Sequence, residues 1–267
     1  MSPPPRKTEA LVLRSVDFSE SDRILHLLVP DSGRLTVIAK HARRSQRRFA
    51  GNLDFFNHLE VEVAQKSGGR MSRLDRARLV RNFAAIRTDP ARFALGAYLL
   101  ELLDRMAPEG GQRTDLIALF RFALDALAWI DRRPPDVQGW VLLELRTLDA
   151  LGFRPELSRC VRCGRPADRD PVDFHVAEGG PLCGACGIRQ TGLLRVRAGT
   201  LRALGQALVW DSETLDRLVF PPRALAEARE LVGRFQRFHL GVALQSERFL
   251  EQMLLPASGG GEGVGAR

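Results

Sequence analysis

Lysine is nearly absent from this 267-residue chain: of its 40 basic residues only Lys7, Lys40 and Lys66 are lysines, and the rest are arginines. Tyrosine occurs once and tryptophan three times, and residues 1–83 contain neither. No apolar run reaches eighteen residues, the length a membrane-spanning helix requires. The N-terminal MSPPPRKTEA has no apolar core of signal-peptide length, so a cytoplasmic protein is expected. Chemistry-bearing patterns are equally scarce. The five histidines (His26, His41, His58, His175, His239) show no HxxxH-type ligand spacing, and there is no Gly-rich phosphate loop or nucleophile elbow. These absences point away from an enzyme.

Charge is present, and it is unevenly placed. The net charge is +8. Residues 1–83 hold 16 basic against 9 acidic residues, an excess of seven, whereas residues 84–267 hold 24 against 23, an excess of one. A concentrated excess is the mark of a surface built for a polyanion. Two stretches carry it. Arg34, Lys40, Arg43, Arg44, Arg47 and Arg48 occur within fifteen residues with no acid among them, and Lys66, Arg70, Arg73, Arg76, Arg78 and Arg81 follow with only Asp75. The segment KHARRSQRR is too polar to bury and too irregular for an amphipathic helix, so it reads as an exposed loop after a strand. A solvated charged face is the plain alternative. From these stretches Arg34, Lys40, Arg43, Arg44, Arg47, Arg48, Lys66, Arg70 and Arg73 are the candidate DNA-binding set. Of the phenylalanines in the first third, Phe49 beside Arg47 and Arg48 is the one that reads as a stacking residue; the others read as core.

Periodicity divides the chain. Ala10–Val16, Ile24–Val29, Arg34–Ala39, Leu59–Ala64 and Met71–Val80 read as short strands separated by turn residues. In LEVEVA, Leu59, Val61 and Val63 face one way and Glu60 and Glu62 the other. Five strands in about 80 residues predict a small barrel of the OB type, with an SH3-like barrel as competitor. From residue 84 the pattern turns helical. Thr88-Asp89-Pro90 is a helix start. Helices are expected over Ala91–Met106, Thr114–Ile130, Asp136 to the C′ glycine Gly152, 198–209, 212–219, 222–240 and 246–254. The domain reading is therefore a barrel over 1–83, a helical domain over 84–157 and 191–255 interrupted by 158–190, and a flexible tail over 256–267.

All four cysteines lie in that interruption: Cys160, Cys163, Cys183 and Cys186, as Cys-x-x-Cys, nineteen residues, Cys-x-x-Cys. Each pair precedes a glycine, which suits the cramped backbone of a metal knuckle. Four soft thiolates at this spacing are the donor set of a structural Zn²⁺, with no open position for water. Paired disulfides need an oxidising compartment, and a redox centre normally uses one such motif. The stretch between the pairs is polar and short, so the metal is expected to supply most of its folding free energy.

Several segments resemble the RecO family of recombination mediators, over most of residues 8–190. They are ALVLRSVDFSESDRILHLL, with Glu20, Ser21, Asp22 and Arg23 in the family's pattern; GRLTVIAKHARR; YLLELLDRM; and LGFRPELSRCVRCG leading to GGPLCGACG. His41 departs from that pattern, which favours glycine there; if the position needs a positive φ, His adopts it at some cost. The resemblance implies an α+β protein: an N-terminal five-stranded OB-type barrel and an all-helical domain carrying an inserted four-cysteine zinc finger. It also implies binding to single- and double-stranded DNA, annealing of complementary strands, partnership with RecR and SSB, loading of RecA onto SSB-coated strands, and a nucleoid-associated location. Two other classes compete: a zinc-containing interaction scaffold, and a nucleic-acid-processing enzyme with a dispersed active site.

Overall fold

The computed structural model describes residues 5–64, 71–167, 169–241 and 243–255. Lys66, Arg70, the turn expected at 67–69 and the tail 256–267 lie outside the described residues.

The first third is a closed five-stranded barrel. Its strands are β1 (Arg6–Phe18), β2 (Asp22–Val29), β3 (Gly33–Ala39), β4 (His58–Ala64) and β5 (Ser72–Arg81), in the order β1-β2-β3-β5-β4 with β4 returning to β1. The length of β1 makes closure possible: Arg6–Leu11 pairs with β4, Leu11–Phe18 pairs with β2, and a bulge between Val12 and Arg14 bends the strand between its two partners. The parallel β3–β5 pairing, Val37 with Ser72 and Ile38 with Arg73, completes the ring. This is the OB arrangement, and it excludes the SH3-like competitor. Leu59, Val61 and Val63 point inward and are buried, while Glu60 is exposed, as the alternation required. One element departs from the expected exposed loop. A single helical turn, α1 (Gln46–Phe49), sits inside the basic segment and packs on β5.

The helices are α2 (Ala84–Thr88), α3 (Pro90–Met106), α4 (Arg113–Arg132), α5 (Val137–Ala150), α6 (Ala198–Val209), α7 (Ser212–Leu215), α8 (Pro222–Leu240) and α9 (Gln245–Leu254). Asp89 caps α3 by accepting from the Ala91 and Arg92 backbone N–H groups, both at 2.9 Å. Gly152 takes φ +87° after α5, as a C′ glycine should. The helix expected over 212–219 stops at Leu215, because i→i+3 bonds tighten the chain there and Pro221–Pro222 follow.

Three short strands complete the fold: β6 (Val172–His175), β7 (Gly180–Leu182) and β8 (Leu194–Val196), in the order β7-β6-β8. They tie the cysteine-bearing segment to the helical core: Val172 and Phe174 of β6, with Leu194 and Val196 just beyond the segment, are buried in the same apolar cluster as the helices. That cluster also takes Leu11, Leu13 and Leu28 from the outside of the barrel, together with Phe56 and Phe83. The β2–β3 turn is seated on the α3–α4 connection, where the Arg34 N–H donates to the Pro108 carbonyl at 2.8 Å. Gly33 must be glycine: φ is +69°, and a Cβ would lie 2.1 Å from the Pro108 oxygen.

One buried acid stands out in the helical core. Glu144 of α5 is 4% exposed. Burial pushes its carboxyl up to about 8; the nearby Tyr98 hydroxyl opposes this, Glu247 adds to it, and Arg237 and Arg229 oppose it more weakly. The folded state therefore favours the neutral acid. Its contribution is fully present below the ordinary carboxyl range and is lost as pH rises through about 8. Glu144→Gln is expected to raise unfolding free energy by on the order of 3 kcal/mol at neutral pH, with no gain near pH 4. Denaturant melts across that range test this; a gain independent of pH would contradict it.

Candidate nucleic-acid interface and metal centre

The basic segment after β3 is held by the turn that precedes β2. Asp22 is buried, and its carboxylate accepts from the His41 backbone N–H at 2.8 Å and from Lys40 Nζ at 2.5 Å. These two donors, the N–H first, hold the carboxyl below its ordinary range. His41 takes φ 55°, a left-handed conformation that favours glycine, with its Nδ1 3.2 Å from Ser21 Oγ. The Arg43 N–H donates to the Ser21 carbonyl at 3.1 Å. The acid–hydroxyl mixture around Ser21 and Asp22 is thus a loop anchor.

The candidate basic residues separate by environment. Arg43, Arg44 and Arg47 are exposed. Arg43 lies 3.8 Å from Asp17, and Arg44 4.0 Å from Glu20; such exposed pairs contribute at most about 1 kcal/mol and a phosphate can replace them. Lys40 is exposed although bonded to Asp22. Arg48 is half-buried. It donates to the Lys40 carbonyl at 2.6 Å and to Ser45 Oγ at 3.1 Å, and its guanidinium lies 5.0 Å above the Phe49 ring. Arg48 therefore shapes the loop.

Arg34 is half-buried at the barrel–helix joint, paired with Glu109 and 3.8 Å from Asp104. One expectation is corrected. Phe49 is 1% exposed and belongs to the barrel core, so it cannot receive a base. Amphipathicity within α1 is the physical reason: the one apolar residue of QRRF points into the barrel.

The second basic stretch meets the first through strand pairing. Arg73 stands beside Ile38 in the β3–β5 ladder, two residues from Lys40, and bonds Asp75 at 2.6 Å. Along β5, Arg78 pairs with Glu60 and Arg81 approaches Asp131 at 3.9 Å, while Arg76 is exposed and unpaired among the described residues. The cations gather where β3, the loop after it and the start of β5 adjoin.

The four cysteines converge. Their sulfurs all lie within 4.8 Å of one another, with Cys163 and Cys183 3.6 Å apart, and none forms a disulfide. A tetrahedral ion with metal–sulfur bonds of about 2.3 Å needs sulfur separations of about 3.8 Å, so the cluster fits one. Both knuckles close the same way: the Gly164 N–H donates to the Cys160 carbonyl and the Gly187 N–H to the Cys183 carbonyl, each at 2.8 Å. Gly164 takes φ +73°; Gly187 has no positive φ, so only the first glycine is demanded by backbone conformation. Val161 N–H to the Pro181 carbonyl joins the two halves, and Arg162 ties them further by bonding Glu178 and the Cys186 carbonyl. Burial pushes the Cys160 thiol up, but the N–H groups of Cys183, Cys163 and Arg162 outweigh it and hold the thiol at about 6. Hydrogen bonding to Cys183 and Cys163, with burial, pushes Cys186 up to about 12. A cation among the four sulfurs would favour their thiolate forms. Among the described residues no helix is long and apolar enough to cross a membrane.

Comparison with known proteins agrees with this architecture. Residues 1–83 match the family described as Recombination protein O N terminal, and residues 87–248 match Recombination protein O C terminal. A DNA repair protein RecO of Anaeromyxobacter sp. (strain K) is 38% identical over 252 residues, covering 92% of this chain and 96% of the relative. DNA repair protein RecO of Myxococcus xanthus is 35% identical over 245 residues, covering 92% and 96%. That of Pelobacter propionicus is 34% identical over 249 residues, covering 93% and 97%. With both halves matched and relatives aligned over nearly their whole length, this chain belongs to the RecO family of DNA repair proteins.

Proposed function

We propose that this protein binds single- and double-stranded DNA through the cationic face of its barrel, anneals complementary strands, and with RecR helps load RecA onto SSB-coated DNA. It acts in the cytoplasm, on the nucleoid, as a mediator without a catalytic centre of its own. The observation that carries the reading is the meeting of two basic stretches at the β3–β5 edge, with Lys40, Arg43, Arg44 and Arg47 presented on a loop anchored by Asp22. Lys66 and Arg70 belong to the same proposed set by their place in the chain before β5. Phosphate contact by such cations releases counterions and leaves base edges free, which is what pairing of a second strand requires.

One Zn²⁺ held by Cys160, Cys163, Cys183 and Cys186 completes the proposal. Four thiolates saturate its coordination, so its part is structural: it neutralises the sulfurs and fastens the two knuckles together.

The test is the pairing rate of two complementary labelled oligonucleotides, without nucleotide, across a salt series. The protein is expected to accelerate pairing at low salt, with the effect fading steeply as salt rises. Unbound DNA and unassisted pairing at every salt concentration would refute the reading.

A further inference from the structure

The outer surface of the barrel carries an apolar face that neither core uses. Cross-strand partners point to one side of a sheet. The pairings Val16–Ile24, Ile24–Ile38 and Ile38–Arg73 therefore place these four side chains in one row across β1, β2, β3 and β5. The adjoining row is Phe18 opposite Asp22, which is bonded to Lys40. The row on the other side, Arg14 with His26 and Thr36, runs under the helical domain, where His26 Nδ1 lies 2.5 Å from Asp104. The helical domain meets this face at His26, through Asp104. Phe18 is left 49% exposed and Val16 44% exposed, with Ile24 and Ile38 half-buried beside them.

We propose that this face, with Phe18 as the exposed ring at its end, is a stacking platform for the unpaired bases of single-stranded DNA. This rests on the DNA-binding reading of the barrel and adds the part of the ligand that the arginines do not touch. Charge selects the occupant. The platform is bordered by Arg14, Lys40 and Arg73, and the exposed Arg43, Arg44 and Arg47 lie on the loop that leaves Lys40. The acids within its rows and ladder, Asp22 and Asp75, are already bonded to Lys40 and Arg73. Asp17 and Glu20, on either side of Phe18 in the chain, approach Arg23, Arg43 and Arg44, so an apolar surface with an excess of cations at its rim matches a strand with its phosphates at the rim and its bases turned inward. Duplex DNA, whose bases already stack on one another, gains nothing from the platform. Phe18 thus gives the barrel a means to prefer single strands, and a stacked base is held without any hydrogen bond to the edge it needs for pairing.

The experiment compares wild type, Phe18→Ala and Phe18→Trp on an oligo(dT) strand and on a blunt duplex of equal length, at several salt concentrations. Phe18→Ala is expected to weaken oligo(dT) binding about fivefold or more while leaving its salt slope and duplex affinity unchanged, since stacking releases no counterions. Phe18→Trp is expected to keep affinity and to show indole quenching on adding oligo(dT) beyond any shown by the wild type, whose tryptophans at 129 and 140 are buried and at 210 half-buried. Equal losses on strand and duplex, or no loss on oligo(dT), would overturn the platform, and the second result would leave the face to a protein partner. Wild-type protein that binds neither DNA removes the barrel reading as well; wild-type binding with an unaltered Phe18→Ala removes this inference alone.

Discussion

Chelating the metal, or replacing Cys183 and Cys186 with serine, is expected to open residues 158–187 to amide exchange while the barrel keeps its protection. Structural zinc sites contribute on the order of 10 kcal/mol to the folding of the segment they hold, and the knuckles here have little else. Cys163 is exposed, and the links between the halves are the Val161–Pro181 and Arg162–Cys186 hydrogen bonds and the Arg162–Glu178 pair. The loss should not stop at the knuckles. Phe174 and Val196 are buried against the helices, and His239 of α8 lies 2.9 Å from the Val176 carbonyl, so faster exchange is expected to spread into α8. The barrel has a core of its own, including Leu25, Leu27, Val37, Leu59 and Val61, that takes no residue from the cysteine lobe. Exchange rising equally in β2–β4 would show that the chain unfolds as one unit and would count against this division.

The triple variant Arg43→Glu, Arg44→Glu, Arg47→Glu is expected to lose roughly a hundredfold or more in affinity for both single- and double-stranded DNA at low salt. Each phosphate contact removed lowers the salt slope by about 0.7 to 0.9, and three reversals add repulsion. Annealing should vanish with binding. The side chains are exposed, and the loop is held by backbone groups of His41 and Arg43 rather than by these three guanidiniums, so the fold should survive. Arg48 is left intact because its hydrogen bonds to Lys40 and Ser45 hold the loop's shape. Circular dichroism and melting confirm the fold; binding isotherms at four salt concentrations give the slope. An unchanged slope would mean that the loop is only a solvated face.

Much of this architecture could be read from residue order, and the reason is local. Strand alternation in LEVEVA, the Asp89 cap before Pro90 and the glycine after α5 depend on neighbours within a turn or two of chain, and each stands where expected. Elements of three or four residues could not be read that way. The turn α1 and the strands β6, β7 and β8 are too short to show a period, and they persist because β5 and the helical core pack against them.

The sequence by itself determined the number and kind of the main elements, the concentration of positive charge in the first third, and the four cysteines of the candidate metal site. Hydrophobic period, charge count and cysteine spacing are properties of the chain before it folds. Only the tertiary structure decided which cation faces outward and which aromatic ring is free. Arg34 meets Glu109 across 75 positions of chain, Phe49 turns into the barrel, and Phe18, one of five phenylalanines in that third, emerges beyond the edge of the helical domain. Burial and ion pairing are set by partners distant in sequence, and those partners exist only once the barrel has closed and docked.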